Sequence, residues 1–187
     1  MTVTTDLTNH FLIAMPSLAD PNFSRTVTYV CEHTEEGAMG IVINRMTDLQ
    51  LADILDQMDI EDIRPEAAEI PIYNGGPVQG ERGFVLHAGE QRWDSTLPIA
   101  DGISITTSRD ILEAMAHGEG PDEFMLALGY AGWMASQLET ELADNAWLSG
   151  PADKQILFST PSTDRWQAAA SLLGVDMNLL SGSVGHA

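Results

Sequence analysis

Cysteine and lysine are almost missing from this chain of 187 residues, which contains one of each, Cys31 and Lys154. A single cysteine excludes a disulfide within the chain. No apolar run approaches the roughly 20 residues that span a bilayer. The first ten residues also lack the basic start and apolar stretch of a secretory signal. We therefore expect a cytoplasmic protein without membrane attachment, in a compartment where thiols stay reduced.

Positive charge is also scarce, because 8 lysines and arginines stand against 28 acidic residues and give a formal net charge of −20. A small soluble domain typically carries a net charge of about 2–8 in magnitude. Proteins that bind DNA draw much of their affinity from Lys and Arg contacts to phosphates. The scattered arginines form no basic stripe, and no helix-turn-helix with a basic second helix is visible. The composition disfavours nucleic acid and anionic membranes as partners.

Short strands and short helices alternate along the chain, and no linker divides it. Runs of β-branched and aromatic residues predict strands, at residues 10–15, 26–33, 38–44, 70–73, 83–87, 103–107, 123–130, 146–150 and 155–158. Apolar periodicity and capping residues predict helices, over 51–58, from Ser108 to Gly118, along Met134, Leu138 and Leu142, and from Thr160 to Gly174.

The second and third predicted strands flank an acidic tip with Gly37 and are typical of a hairpin. Strands that occur both in hairpins and between helices favour a mixed sheet covered by helices. The predicted class is α+β, as a single compact domain over residues 1–187, with residues 1–8 and 181–187 as flexible ends.

Several motifs occur in an order that we associate with one family. They are HFLIAMPSLADPNFSRTVTYVCEHTEEGAMGIVINR, NGGPV, GFVLH, ISITTSRDIL, LGYAGWMASQLETELADNAWL, TPSTDRW, LLGVD and GHA. Over nearly its whole length the chain resembles the YqgE/AlgH family of bacterial proteins. The resemblance implies an α+β fold with a mixed, partly barrel-like sheet surrounded by helices. The family is largely uncharacterised and is labelled as transcriptional regulators, and it offers no established catalytic residues to transfer.

Cys31 is the one candidate nucleophile of its kind, and His33 follows it two positions later. In a regular strand the two side chains share a face but are separated by a rise of about 6.5 Å. A nucleophile and its base need heavy atoms about 2.6–3.2 Å apart. A catalytic Cys31 would therefore need a histidine from another strand, His10 or His87. A packed thiol is the simpler interpretation, since free cysteine is among the most buried residue types.

The segment NGGPV follows a strand and contains Gly75 and Gly76. Two glycines permit a sharp turn whose N–H groups can form an anion-binding nest. The segment lacks the pattern of a phosphate loop, so a structural turn is the simpler interpretation. Arg82, a few residues later, keeps a small anionic ligand as an alternative.

Asn44 and Arg45 end a strand, a position from which binding groups often project. The many carboxylates make structural pairing of Arg45 the simpler interpretation, with ligand binding as the alternative. We expect ligand-binding residues, if they form one site, to include Asn44, Arg45, Gly75, Gly76, Arg82 and His87. Trp93, in a polar stretch, is a candidate for an exposed aromatic contact, while the other three tryptophans are expected in the core.

No metal or cofactor is expected, because the histidines are dispersed and no C-x-x-C, H-x-x-x-H or D-x-D-x-D pattern occurs. A G-x-S-x-G elbow is also missing. The leading hypothesis is a regulatory binding protein that acts through a protein partner or a small ligand, without direct DNA contact and without enzymatic activity. The alternatives are a thiol-dependent enzyme that uses Cys31 and a direct DNA-binding regulator.

Overall fold

The computed structural model describes the chain from residue 5 to residue 184, with side chains described up to residue 180. Ten strands are formed in this part of the chain. In chain order they are β1 His10–Ala14, β2 Val27–Thr34, β3 Gly37–Val42, β4 Met46–Gln50, β5 Pro71–Asn74, β6 Val78–Ala88, β7 Thr96–Ala100, β8 Ile103–Thr106, β9 Phe124–Met134 and β10 Trp147–Pro151.

Seven α-helices connect or cover these strands in the described part of the chain. They are α1 Leu51–Gln57, α2 Pro65–Ala68, α3 Arg109–Ala116, α4 Gln137–Ala143, α5 Lys154–Phe158, α6 Arg165–Leu172 and α7 Met177–Val184. A 3-10 turn at Ser162–Asp164 leads into α6. None of the described helices is long and apolar enough to cross a membrane.

The strands form a curled half-barrel with the order β10-β1-β2-β3-β9-β6-β8-β7. Neighbouring strands along this path pair with each other in the antiparallel direction. Strands β2 and β3 form the predicted hairpin. The short strand β5 pairs with β9 in parallel and carries β4 on its other side. The predicted class is confirmed: the sheet is mixed and partly barrel-like, and helices surround it.

The inner face of the curled sheet holds the largest core. Alternate residues of every long strand point inward, so that side chains such as Phe11, Tyr29, Ile41 and Leu86 pack together. Helices α5 and α6 cover this face with Ile156, Leu157 and Trp166, among others. Burial of this apolar surface is the main stabilising contribution to the fold.

The outer face of the sheet carries two further cores. Under α1 and α3, Leu51, Leu55 and Ile111 pack on Val85 and Leu126 of strands β6 and β9. The stripe predicted for the first helix is confirmed in Leu51 and Leu55, which are both fully buried.

The second outer core lies at the opposite end of the sheet. There α4 and the loop before β2 cover Trp133 and Trp147, with Phe23 stacked edge-on against Trp147 at 5.5 Å between ring centroids. Both indole N–H groups donate to Oε1 of Glu141, at 3.1 and 2.9 Å. The expectation of core positions for these two tryptophans is confirmed.

Two sequence-based assignments are wrong. Residues 155–158 form helix α5 and not a strand, because the Asp153 carboxylate accepts a hydrogen bond from the Ile156 N–H and caps the first turn. Met134 belongs to the end of β9 and is 78 % exposed, so the helix behind it starts only at Gln137.

Other differences concern elements that were not predicted and the bounds of those that were. Strands β4 and β7 and helices α2 and α7 lie in segments where no element was predicted, and β6 is longer than its GFVLH motif. Helix α6 begins at Arg165, after the 3-10 turn, and not at Pro161. Within the ends predicted to be flexible, residues 1–8 and 181–187, Leu7 is buried and its N–H donates to Nδ1 of His33, and residues 181–184 belong to helix α7. Residues 1–4 and 185–187 lie outside the described residues, so the flexibility of the ends stays a prediction.

Candidate functional site

An open cleft of about 430 Å³ lies on the outer face of the sheet, between α1 and α3. We call it the outer cleft and define it by its lining residues. These are Leu49, Ile54, Gln57, Met58, Gly80, Glu81, Gly83, Val85, Thr106, Thr107, Ser108, Arg109, Ile111, Leu112, Leu126 and Leu128. Its volume falls within the range of about 300–1,000 Å³ in which small-molecule sites lie.

The floor of the outer cleft is apolar and belongs to the sheet. Val85 on β6 and Leu126 and Leu128 on β9 point outward, because their neighbours along each strand fill the inner core. Gly83 pairs with Leu128 in the ladder, so a position without a side chain lies beside this apolar floor.

Two glycines leave the outer cleft unfilled on its β6 side. A Cβ atom placed on Gly80 or Gly83 would meet no atom within 4 Å, and neither residue has a positive φ. Backbone strain and close packing therefore do not require glycine at either position. The absence of these two side chains preserves the open space that a ligand would occupy.

A hydrogen-bonded chain connects the outer cleft with His87 on β6. The main-chain N–H of Trp93 donates to the Thr96 hydroxyl, which shares a hydrogen bond with the Thr106 hydroxyl, and the Thr106 hydroxyl meets Nε2 of His87. Each of these three distances is 2.7 Å. Thr106 lines the cleft, so the sequence-predicted residue His87 contacts one of the cleft residues without lining the cleft itself.

His87 is fully buried, and its Nδ1 atom has no hydrogen-bond partner. The ring stacks edge-on against Trp93 at 5.2 Å between centroids. Burial lowers the pKa of His87, because removal from water disfavours the charged imidazolium. Trp93 is half-buried over this ring, so the expectation of an exposed aromatic contact is wrong.

The rim of the outer cleft carries few charges, and the one arginine that lines it is already hydrogen-bonded within the protein. Arg109 Nε donates to Glu113 at 2.8 Å, and its Nη1 donates to the Met58 carbonyl at 2.7 Å, which ties α3 to α1. Glu81 is exposed, and within the described chain its carboxylate has no salt bridge or hydrogen bond.

Asp110 neutralises the start of α3 beside the cleft. Its carboxylate accepts from the Ser108 hydroxyl at 2.5 Å and from the Asp94 N–H at 2.8 Å. Burial alone would raise the pKa of Asp110, but these hydrogen bonds lower it below its usual value. The positive end of the helix is thus already matched by a carboxylate.

Two other pairs of predicted ligand-binding residues lie next to each other in the fold. They are Asn44–Arg45 and Gly75–Gly76, and main-chain hydrogen bonds join the two segments. The Val42 N–H donates to the Gly75 carbonyl, and the Asn74 N–H donates to the Arg45 carbonyl. Neither group lines the outer cleft. Their part in ligand binding stays a prediction.

The side chains of Asn44 and Arg45 hold the loop before β2. Asn44 accepts from the Val27 N–H and donates to the Arg25 carbonyl, both at 2.9 Å. Arg45 donates to the Pro21 carbonyl at 2.6 Å and to the Ser24 carbonyl at 2.9 Å. The expected structural pairing of Arg45 is therefore made with carbonyl groups rather than with carboxylates.

The two glycines of NGGPV allow a close approach of backbones. A Cβ on Gly75 would lie 2.3 Å from the Gly129 carbonyl oxygen, and Gly76, at a φ of 151°, faces the backbone of Tyr130. The Gly75 N–H donates to the Leu128 carbonyl, and the Gly76 N–H donates to the Asn74 side chain. Both donors of the proposed anion nest are thus engaged within the chain.

The remaining predicted residues are separated from one another. Arg82 lies over the Phe84 ring at 5.2 Å and reaches Gln79 at 3.4 Å. His10 contacts the Thr8 carbonyl through Nδ1 at 3.1 Å. Among the described residues neither His10 nor His87 makes a hydrogen bond to Cys31.

Cys31 is the extra residue of a β-bulge in β2. Val30 pairs with Gly40 and Glu32 with Met39, so two steps on β2 match one step on β3. The bulge turns His33 to the opposite face, where Nε2 meets Glu139 at 2.5 Å. The expectation that Cys31 and His33 share a face is therefore wrong. Burial, together with Glu32, raises the pKa of the Cys31 thiol, which opposes a reactive thiolate.

Sequence reasoning missed the residues that form the outer cleft and one buried cation. Arg165 is 5 % exposed, and its guanidinium donates to the Thr160 and Ile43 carbonyls and lies over the Tyr73 ring. A glycine at each end of the short stretch GERG was a usable signal for the cleft, because glycine inside a strand pattern often marks a bulge or a site that a ligand can approach closely. No group of three His, Cys, Asp or Glu side chains in the described part of the chain could hold a metal.

The fold and this cleft define an α+β half-barrel protein with one open apolar cleft under two helices. A family model described as AlgH-like matches residues 11–178. A UPF0301 protein of Thioalkalivibrio sulfidiphilus is 61% identical over 187 residues and covers 100% of both chains. A UPF0301 protein of Nitrosococcus oceani is 55% identical over 179 residues, 96% of each chain.

Solved structures give the same result. The solution structure of the AlgH protein from Pseudomonas aeruginosa matches with a TM-score of 0.81 and 52% identity, over 100% of this chain and 99% of that one. A crystal structure of a Corynebacterium diphtheriae protein shares the fold, with a TM-score of 0.74 at 21% identity over 97% of this chain and 94% of that one. The chain belongs to the AlgH-like family, as its motifs suggested.

Proposed function

We propose that this protein acts by binding a ligand in the outer cleft, and that any regulatory role is exerted through that ligand or a protein partner and not by direct DNA contact. The observation that carries the proposal is the apolar cleft of about 430 Å³ that two helices and two glycines keep open. Closed apolar cores are the rule in stable domains, so an open apolar cleft indicates a binding surface. A cytoplasmic location belongs to the same proposal.

The distribution of basic side chains supports a ligand other than DNA. Arg165 is buried, and Arg109 and Arg64 are each within 4.0 Å of a glutamate. Arg45 donates its hydrogen bonds to carbonyl groups of the loop before β2. With a formal net charge of −20, the few remaining cations would have to overcome strong repulsion from a polyanion. A gel-shift assay at physiological salt should therefore show no sequence-specific retention at nanomolar protein.

The cleft can be tested by filling it. The probe is 4-phenyl-1-butanol, a neutral molecule with an apolar body, titrated into ¹⁵N-labelled protein. The expected shifts are in the amide signals of Val85, Thr106, Leu126 and Leu128. Gly83→Leu places a side chain into the open space beside these residues and should abolish the shifts.

The matched control is Gly132→Leu, another strand glycine. Gly132 is exposed on β9 and does not line the cleft, and a Cβ there makes only ordinary contacts at 3.6 Å and beyond. The control variant should bind the probe as the wild type does. Binding that is unchanged in Gly83→Leu, or shifts confined to other parts of the protein, would overturn the proposal.

A further inference from the structure

From the charges around the outer cleft we infer that its ligand is a small primary amine with an apolar body. The inference rests on the proposed function, because it names the chemistry that the same cleft selects. The apolar body lies on Val85, Leu126 and Leu128, and the ammonium group lies at the rim beside Glu81.

Glu81 is the lining residue that offers an uncompensated charge. Its carboxylate is exposed at the edge of the cleft and has no salt bridge to any described residue. It stands next to Gly80 and close to Gly83, the two positions that keep this side of the cleft open. An ammonium group that enters there gains an ion pair without having to break one.

Arg109 does not offer an equivalent site for an anion. Its guanidinium is held by Glu113 and by the Met58 carbonyl, so an anionic ligand would compete with both. The start of α3 is also matched by the Asp110 carboxylate. At long range the net charge of −20 draws cations toward the protein and repels anions.

Three matched probes test the inference: 4-phenylbutylamine, 4-phenyl-1-butanol and 4-phenylbutyrate share one apolar body and differ in charge. We expect the amine to bind about threefold to tenfold more tightly than the alcohol at low salt, and the carboxylate to bind more weakly than the alcohol. Raising NaCl to about 0.5 M should narrow these differences, because it screens exposed charges. Dissociation constants come from the same amide titrations.

Glu81→Gln should remove most of the advantage of the amine and leave the affinity for the alcohol unchanged. Glu35→Gln is the matched control, since it changes the net charge equally at an exposed hairpin tip that does not line the cleft. If the alcohol binds in the cleft but the amine binds no more tightly than the carboxylate, or Glu35→Gln has the same effect as Glu81→Gln, the inference is overturned. If the alcohol itself fails to bind, the proposed function fails instead.

Discussion

Replacing Arg165 tests how the fold holds a buried cation without a carboxylate. The guanidinium is 5 % exposed and forms none of the salt bridges seen among the described residues. Its Nε donates to the Thr160 carbonyl at 2.9 Å, its Nη1 donates to the Ile43 carbonyl, and its Cζ lies 5.1 Å from the Tyr73 ring centroid. Burial lowers the pKa of this guanidinium, while Tyr73 raises it.

The expected loss of stability follows from these contacts. Hydrogen bonds from a charged donor contribute about 1.5–3 kcal/mol each, so two of them give about 3–6 kcal/mol. The variant no longer desolvates a cation, which offsets part of this sum. We expect Arg165→Ala to lower the free energy of unfolding by about 3 kcal/mol, out of the total of about 5–15 kcal/mol that is usual for a domain.

Urea denaturation measures this loss as a lower midpoint at an unchanged slope. Arg165→Lys should lose less, about 1–2 kcal/mol, because it keeps the charge but not the planar fork. Arg82→Ala is the matched control, since that arginine is exposed and makes one long hydrogen bond, and it should lose less than about 1 kcal/mol. Equal losses for Arg165→Ala and Arg82→Ala would refute the reasoning.

Three further predictions concern single residues. Burial lowers the pKa of His87 below 6.5, so the folded state disfavours a proton on this ring. The contribution of His87 to the free energy of unfolding should therefore be constant above pH 6.5 and become less favourable below it, and His87→Leu should reduce the loss of stability measured in urea titrations between about pH 8 and pH 5. Gly76→Ala should cost more than about 3 kcal/mol, since its Cβ would lie 2.1 Å from the Tyr130 carbonyl carbon. Cys31 should react with a thiol probe near neutral pH more slowly than free cysteine, because its pKa is raised.

Each of these predictions has a result that contradicts it. The His87 reasoning fails if the variant and the wild type lose stability equally between the two pH values. Carboxylates with a lowered pKa, such as Glu139, change the free energy of unfolding only below their usual pKa of 4.5. They therefore do not contribute to the difference measured between about pH 8 and pH 5. The Gly76 reasoning fails if Gly76→Ala is as stable as Gly132→Ala, and fast labelling of Cys31 would reopen the thiol-enzyme alternative.

Local patterns predicted those elements that have a clear composition, period or cap. The β2–β3 hairpin follows from β-branched and aromatic residues on both sides of the Gly37 tip, helix α1 from i, i+3, i+4 spacing, and helix α3 from Ser108 at its start and Gly118 at its end. The stretch QILF was ambiguous, because a short apolar run fits a strand and a buried helix equally well. The hydrogen bond from the Ile156 N–H to the Asp153 carboxylate favours the helix over the strand, and that interaction is visible only in the folded chain.

The candidate site could be predicted only in fragments. Alternation placed Cys31 and His33 on one face, but a bulge, which depends on how β2 pairs with β3, put them on opposite faces. The outer cleft joins α1, α3, β6 and β9, which are distant in sequence, so no local motif contains it. His87 was singled out for its chemistry, and only the fold shows that Thr106 connects it to the cleft.

A crystal structure of the protein soaked with 4-phenylbutylamine is the most direct measurement of the proposed binding role. The expected result is the phenyl ring against Val85 and Leu128 in the outer cleft, with the amine nitrogen within hydrogen-bond distance of the Glu81 carboxylate. An empty cleft in crystals that hold the amine at another position would contradict it.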